Sequence, residues 1–429
     1  MVHWVVATAQ EAGAGKVVVV VRPSEGVEEQ LPDGVVAAAQ TAGEGTGAAV
    51  LAAREHVEAG QTVVILSGDH PLISADTVRE LVATHEQEGA AATLLTTDRL
   101  DPTAYGRIVR DDAGHVAQIV ETKYPDAVSP EHLAIREINL GAYAFDADAM
   151  YAALDSVGEE QGELYLTAVF ETFRRDDRTV AAHRTDDVLA AQGVNNRKDL
   201  MDVERHARHA IVERHALNGV GFTNPDSVVV DVHVEIGQDT VIEPGCVLRG
   251  STQIGGDCTI GPNTTLVDAE LGDRVTALHS YITTALVGDD VTIGPFAYLR
   301  PNTRLANGVK VGTYVEVKNS DIGEGTKIPH LSYIGDADIG AGSNIAAGNI
   351  TANYHRGKKS RTKIGNSVKT GVDTMFVAPV DVGDGAYTAA GSVITEDVPP
   401  GALAVSRPEQ KNVEGYAERL ESESGDGKP

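Results

Sequence analysis

The sequence is short of several things at once. It has two cysteines in 429 residues, Cys246 and Cys258, which gives neither a disulfide framework nor a cysteine metal cluster. No apolar run approaches the ~20 residues that span a bilayer. The opening "MVHWVVATAQEAGAGK" lacks the basic start and long apolar stretch of a signal peptide. A reducing cytoplasm fits these absences. Basic residues are outnumbered 63 to 35 by acidic ones, a net charge of -28. Such a surface repels nucleic acid and anionic membranes and otherwise reads as a solvated acidic exterior. Aromatics make up 4% of the chain and methionine occurs 4 times, against 45 glycines. Much glycine with few aromatics suits a repetitive, tightly turned architecture. The length accommodates two or three domains.

Residues 1–196 alternate strand-like and helix-like segments. "KVVVVV" (16–21), "VVILSG" (63–68), "AATLLTT" (91–97), "GRIVR" (106–110), "HVAQIVE" (115–121) and "NLGAYAF" (139–145) are short and apolar or β-branched. Helical stretches such as 45–60 and 75–89 lie between them. The alternation predicts a mainly parallel sheet flanked by helices. Residues 197–218 form a charged amphipathic connector helix, with Leu200, Val203, Ala207, Ala210 and Ile211 at helical spacing. Its histidines read as solvated side chains rather than metal ligands.

After residue 229 apolar–Gly pairs recur eleven times, from Ile236-Gly237 to Val382-Gly383, with several spacings of 6 or 18 residues. This is a hexapeptide repeat. Each unit is one short strand and a turn, and three units make one coil of a parallel β-helix. The aliphatic residue points into the prism, and the Gly relieves crowding or supplies a positive φ at the corner. Such prisms usually trimerise through a flat face. The tail "ESESGDGKP" reads as disordered.

"VVILSGDHPLIS" (Val63–Ser74) reads as a buried parallel strand ending in a carboxylate, Asp69. Open α/β sheets bind ligands at that edge. A carboxylate there can hold a divalent metal against nucleotide phosphates; the plainer reading of Asp69 is a cap on the next helix. A phosphate site also needs a Gly-rich turn from an earlier strand. "GAGK" at 13–16 does not supply it, because it precedes a strand and no Ser or Thr follows the Lys.

"EGTGAAV" (44–50), "LSGDHPLIS" (66–74), "DPTAYGRIVR" (101–110), "IVETK" (119–123), "EINLGAYAF" (137–145) and "GVNNR" (193–197) follow one another in the first part. "FAYLRPNTRL" (296–305), "YVEVKNSDIG" (314–323), "HLSYIGDADIG" (330–340) and "GNITANY" (348–354) continue in the second. In this order, over nearly the whole chain, they resemble the bacterial bifunctional N-acetylglucosamine-1-phosphate uridyltransferase/glucosamine-1-phosphate acetyltransferases, the GlmU family. The resemblance implies an α/β nucleotidyltransferase-like, Rossmann-like domain over 1–196, incomplete at its N-terminus. It implies a linker helix over 197–228, a left-handed parallel β-helix over 229–410 and a tail over 411–429. It also implies acetyl transfer from acetyl-coenzyme A to glucosamine-1-phosphate, then uridyl transfer from UTP to N-acetylglucosamine-1-phosphate with Mg²⁺, by a cytoplasmic homotrimer without nucleic-acid or membrane partners. The alternative is an acetyltransferase only, with the first domain a scaffold. A nucleotidyltransferase for another sugar leaves His330, Arg300 and Lys318 unexplained. A zinc β-helix enzyme needs three converging histidines, and His279, His330 and His355 are irregularly placed.

Family members open with a strand and a Gly-rich loop containing an Arg and a Lys. The first residues here resemble the helix after that loop, so the expectation is a start downstream of it and weak or no uridyl transfer by the chain as written. The resemblance assigns Gln40, Gly45 and Thr46 to uridine, with Ser67 and Gly68 beside them in the nucleotide site. It assigns Asp69 and Asn195 to Mg²⁺, and Gly106, Glu121 and Asn139 to the sugar phosphate.

In the second part a base for an amine attacking a thioester must titrate near neutrality, which histidine as a residue type does, and His330 is the candidate. A lone His on a coil is otherwise structural, but Arg300 and Lys318 add two cations suited to a phosphate. Glu316 shares a strand face with Lys318 and is a candidate to orient His330. The resemblance assigns Arg300, Lys318, Tyr333 and Asn344 to the sugar phosphate and His330 to base catalysis. It assigns Ala347, Asn353, Tyr354, Ala390 and Arg407 to acetyl-coenzyme A. Val372 stands where the family has a Ser in the coenzyme site; if the family contact is through the main chain little changes, and if it is through the hydroxyl, affinity falls by ~1 kcal/mol. The basic run "HRGKKSR" (355–361) is either a solvated loop or one that reaches coenzyme phosphates over a neighbouring subunit.

Overall fold

The valine run forms the strand Val18–Val21, which pairs in parallel with Val36–Ala39. In this computed structural model the described residues are 1–429 apart from 24, 113, 121, 123–127, 160, 161, 356 and 424–429. They divide into two units, Met1–Ala207 and Arg208–Pro429, and the division falls within the helix Arg197–Leu217.

The main sheet of the first unit is built around Ile138–Asp146. This strand pairs antiparallel with Thr62–Ile65, Ala92–Thr97 and, at its start, Arg107–Arg110. Arg107–Arg110 also forms a hairpin with Val116–Val120, and Val180–Arg184 joins Ala92–Thr97 in parallel. The α/β class holds, with a mixed sheet. Side chains of the central strand alternate between two cores, as a period of two requires. Leu140, Ala142 and Ala144 pack with Leu81 and Leu95. Tyr143 and Phe145 pack with Phe170, Phe173, Met150 and Leu154. Helix Ala75–Glu88 serves the first core, and Ala147–Leu154 and Val169–Arg175 serve the second.

Three expectations are corrected here. Thr62–Ile65 is antiparallel and only half-buried, because its one partner among the described residues is Ile138–Asp146. The helix expected over 45–60 is confined to Thr46–Ala52, followed by a 3-10 turn, Arg54–His56, that buries no side chain to hold a further helical turn. In the connector helix Val203 and Ile211 are buried while Ala210 is exposed, and His215 is buried, not solvated, because it lies four residues beyond Ile211 on the same stripe.

The second unit winds through three parallel sheets of seven, ten and nine strands. Ile242, Ile260, Ala277, Ile293, Val311 and Ile328 stack in register as one fully buried interior column. Most of the paired glycines answer crowding: a Cβ on Gly255 would lie 2.4 Å from Asp273 Oδ1 and 2.6 Å from the Gly272 carbonyl carbon, while Gly261 and Gly294 supply a positive φ of 112° and 96°. Positive φ also falls on non-glycine corner residues such as Asp257, Asn263 and Asp268. The repeat is interrupted by a hairpin that pairs Tyr354–His355 with Lys358–Lys359. The expected disordered tail begins inside the helix Tyr416–Glu423, and its remainder, 424–429, lies outside the described residues.

Candidate active sites

In the first unit the strand Thr62–Ile65 leads through Leu66, Ser67 and Gly68 to Asp69. Helix Ala75–Glu88 is capped by Ser74, whose hydroxyl accepts from the Thr77 N–H, so the Asp69 carboxylate is left for another purpose. Asp69 Oδ1 lies 3.0 Å from His70 Nδ1, and that hydrogen bond holds the carboxyl below its ordinary value. The Asp69 carbonyl accepts from the Val194 N–H at 3.0 Å, which brings exposed Asn195 beside it. One carboxylate and one amide oxygen on neighbouring loops fit Mg²⁺, which keeps waters and takes further oxygens from phosphates. No group of three or more His, Cys, Asp or Glu suited to a metal occurs among the described residues.

Gly45 has φ 97°, and a Cβ there would sit 2.5 Å from the Leu164 carbonyl oxygen. The Gly47 N–H donates to the same oxygen, and Thr46 Oγ1 accepts from the Leu166 N–H at 3.0 Å. Gln40 Nε2 donates to the Gly43 carbonyl at 3.1 Å. The Asn139 N–H donates to the Gly106 carbonyl at 2.9 Å, joining those two positions across the sheet. The Asn139 side chain donates to the Tyr143 hydroxyl and accepts from the Gly141 N–H. Gln40, Thr46, Ser67, Gly68 and Gly141 line one cleft. Glu121 lies outside the described residues.

In the second unit, register places the cations on consecutive coils. The Arg300 N–H donates to the Val317 carbonyl, setting Arg300 beside Lys318, and Lys318 faces Gly335 on the next coil. Arg300 Nη1 donates to Glu316 Oε1 at 2.8 Å, and its guanidinium carbon lies 5.9 Å from the Tyr298 ring centroid. Glu316 therefore orients Arg300; the expectation that it orients His330 is not met, because the carboxylate is taken by the nearer cation. Tyr333 lies over Gly335: a Cβ there would be 2.4 Å from the Tyr333 hydroxyl.

His330 ends the strand Lys327–His330 and is exposed. Its carbonyl accepts from the Gly348 N–H. The Ala347 carbonyl accepts from the Asp373 N–H, and the Val372 carbonyl from the Gly391 N–H, each at 2.9 Å. The Ala390 carbonyl accepts from Arg407 Nη1 at 2.9 Å. His330, Ala347, Val372 and Ala390 thus stack along one corner, with Arg407 at its end. Exposed Asn344 lies on the adjoining sheet between Lys327 and Lys369. At the root of the hairpin the Asn353 amide donates to buried Asp336, while Tyr354 is exposed. Within the basic run, Arg361 pairs with Asp338.

Sequence reasoning missed Asp336, Gly335 and Tyr298. For Gly335 a signal was present: Ile334-Gly335 is a further apolar–Gly pair, outside the eleven counted above, only five residues before Ile339-Gly340 and out of the six-residue count. Asp336 gave none, since Asn and Asp are usual at left-handed corners.

A nucleotidyl transferase family model matches residues 1–189, and a model of the bacterial transferase hexapeptide (six repeats) matches 233–268. The bifunctional protein GlmU of Mycolicibacterium vanbaalenii is 50% identical over 360 residues, 83% of this chain and 73% of the relative. The protein of the same name from Mycobacterium tuberculosis is 48% identical over 379 residues, 87% of this chain and 76% of the relative. This chain belongs to the GlmU family. It is a transferase, and as befits relatives named bifunctional it has one candidate site in each unit. No helix among its described residues is long and apolar enough to cross a membrane.

Proposed function

We propose that the chain carries out the last two steps of UDP-N-acetylglucosamine synthesis, acetyl transfer in the β-helix and uridyl transfer in the α/β unit, with the labour divided between domains 1–196 and 229–410. The observation that supports this most is the corner column of His330, Ala347, Val372 and Ala390 one strand away from the Arg300–Lys318 pair.

Arg300 and Lys318 hold the phosphate of glucosamine-1-phosphate, with Glu316 fixing the Arg300 guanidinium and Tyr333 and Asn344 flanking the sugar. Acetyl-coenzyme A lies along the column against Ala347, Asn353, Tyr354, Val372, Ala390 and Arg407. The amine attacks the thioester carbonyl; a C–N bond forms and the C–S bond breaks. His330 takes the proton lost by the amine and returns it to the departing thiolate. General-base catalysis of this kind contributes about 10²–10⁴-fold.

In the α/β unit Gln40, Gly45, Thr46, Ser67 and Gly68 hold the nucleotide, and Gly106, Glu121 and Asn139 hold N-acetylglucosamine-1-phosphate. Its phosphate oxygen attacks the α-phosphate of UTP and pyrophosphate leaves. Asp69 and Asn195 would hold Mg²⁺, which supplies charge neutralisation when bound. The chemistry otherwise rests on positioning.

The working assembly is a homotrimer in the cytoplasm, its product a precursor of cell-wall polymers. Supporting self-association, Phe296, Tyr314 and Leu331 stand at one corner at φ 61°, 57° and 50° and are more than half exposed. Phe296 and Tyr314 stack at 5.5 Å. Bulky residues seldom take this backbone, and a second copy would cover them beside His330.

Two assays test the reading. Thiol release from acetyl-coenzyme A with glucosamine-1-phosphate reports the first step; pyrophosphate release from UTP with N-acetylglucosamine-1-phosphate and Mg²⁺ reports the second. Activity in both is expected, because the relatives carry the name bifunctional; the weak uridyl transfer anticipated from the sequence would show as slow pyrophosphate release. Thiol release alone would reduce the α/β unit to a scaffold, and no thiol release would overturn the β-helix site.

A further inference from the structure

Asp336 occupies a corner at φ 49°, with a side chain only 6% exposed. Corner residues elsewhere on this edge are Gly250, Asp268, Thr284 and Asn319, all at positive φ. The corner therefore needs a residue tolerant of that backbone, and an aspartate is not required for it. What sets Asp336 apart is what its carboxylate gathers. Oδ1 accepts from Asn319 Nδ2 at 2.5 Å. Oδ2 accepts from Asn353 Nδ2 in a short hydrogen bond and lies 3.8 Å from Lys318 Nζ. Its N–H donates to the Lys318 carbonyl, and its carbonyl accepts from the Thr362 N–H, where the chain leaves the hairpin. The hairpin itself is closed by the Ser360 N–H donating to the Asn353 carbonyl.

We infer that Asp336 is a positioning residue of acetyl transfer, fixing the root of the hairpin that presents Asn353 and Tyr354 to the coil that presents Lys318. This rests on the acetyltransferase reading above. Burial alone would raise the carboxyl, but the two amide hydrogen bonds and the charges of Lys318 and Lys359 hold it below its ordinary value. It is therefore an anion at neutral pH and can accept from both amides at once. An asparagine has one acceptor oxygen and must lose one of these bonds.

The test is steady-state acetyl transfer by the full chain as wild type, Asp336→Asn and Asp336→Gly, with Asp268→Asn as control. Asn and Gly already stand at this corner, so folded variants are expected, checked by thermal melting. In Asp336→Asn the KM for acetyl-coenzyme A should rise about ten-fold, the loss of one charge-assisted hydrogen bond. The KM for glucosamine-1-phosphate should not rise, because the removed carboxylate offset part of the Lys318 charge. Asp336→Gly should show the same split, and Asp268→Asn neither effect. An unchanged coenzyme KM in either folded variant overturns the inference. So does a parallel rise in both KM values with a lowered melting temperature, which marks a merely structural residue. A wild type without thiol release would instead refute the underlying acetyltransferase reading.

Discussion

At the scale of single residues, His330 and Val372 are the positions of the candidate β-helix site most open to test. His330 is exposed at a strand end, with its main chain tied to the next coil, so its ring can be exchanged without disturbing the prism. His330→Asn should lower kcat for acetyl transfer by about 10²–10⁴-fold. Both KM values should stay near wild type, read by initial rates of thiol release. Val372 presents an exposed isopropyl group in the corner column with His330, Ala347 and Ala390. Val372→Ser should lower the KM for acetyl-coenzyme A by up to about five-fold, one neutral hydrogen bond; no change would mean that this contact uses the main chain. His330, Arg300 and Lys318 were legible because their chemistry is rare on a repeat. The partner of Glu316 was not: two residues of separation on a strand specify a shared face, and the choice between Arg300 and His330 depends on which coil lies nearer.

At the scale of elements, helix Ala75–Glu88 was foreseen in full because it has both a serine cap and a left-handed glycine, Gly89, at its end. It buries His85, whose Nδ1 lies 3.0 Å from Thr93 Oγ1. Burial pushes this imidazole below its ordinary value, against the weaker opposing charges of Asp146 and Glu86. Unfolded, the ring titrates near about 6.5. Between the folded and unfolded values the unfolded chain binds more protons, so stability is complete above about 6.5 and is lost as pH falls from there through the folded value. The melting temperature should therefore decline between pH 7 and 5, and His85→Gln should flatten that decline. An equal slope in the variant would remove His85 as its cause. The strand Thr62–Ile65 was harder to read, since an apolar run does not say whether its neighbour runs with it or against it.

At the scale of the whole molecule, a net charge of -28 opposes close association of copies. The exposed aromatic corner works in the other direction. Tyr314→Asn replaces a bulky residue at φ 57° with one that tolerates this backbone. The variant's monomer should be no less stable, while sedimentation should show weaker association than wild type. Undiminished trimer formation would place the contact on another face.

The eleven apolar–Gly pairs were enough, without coordinates, to specify coils, interior column and turn spacing, because a repeat needs only neighbouring copies of itself to bury its aliphatic side chains. The motif order likewise named the family and the candidate residues proposed for both sites. The tertiary structure alone decided how those residues serve one another. Asp336 meets Asn319, Lys318 and Asn353 from separate coils, across a hairpin that breaks the repeat count. Periodicity states which face a residue occupies. It does not state which long side chain from another coil reaches that face, and that reach, through a buried carboxylate, ties Lys318 to Asn353.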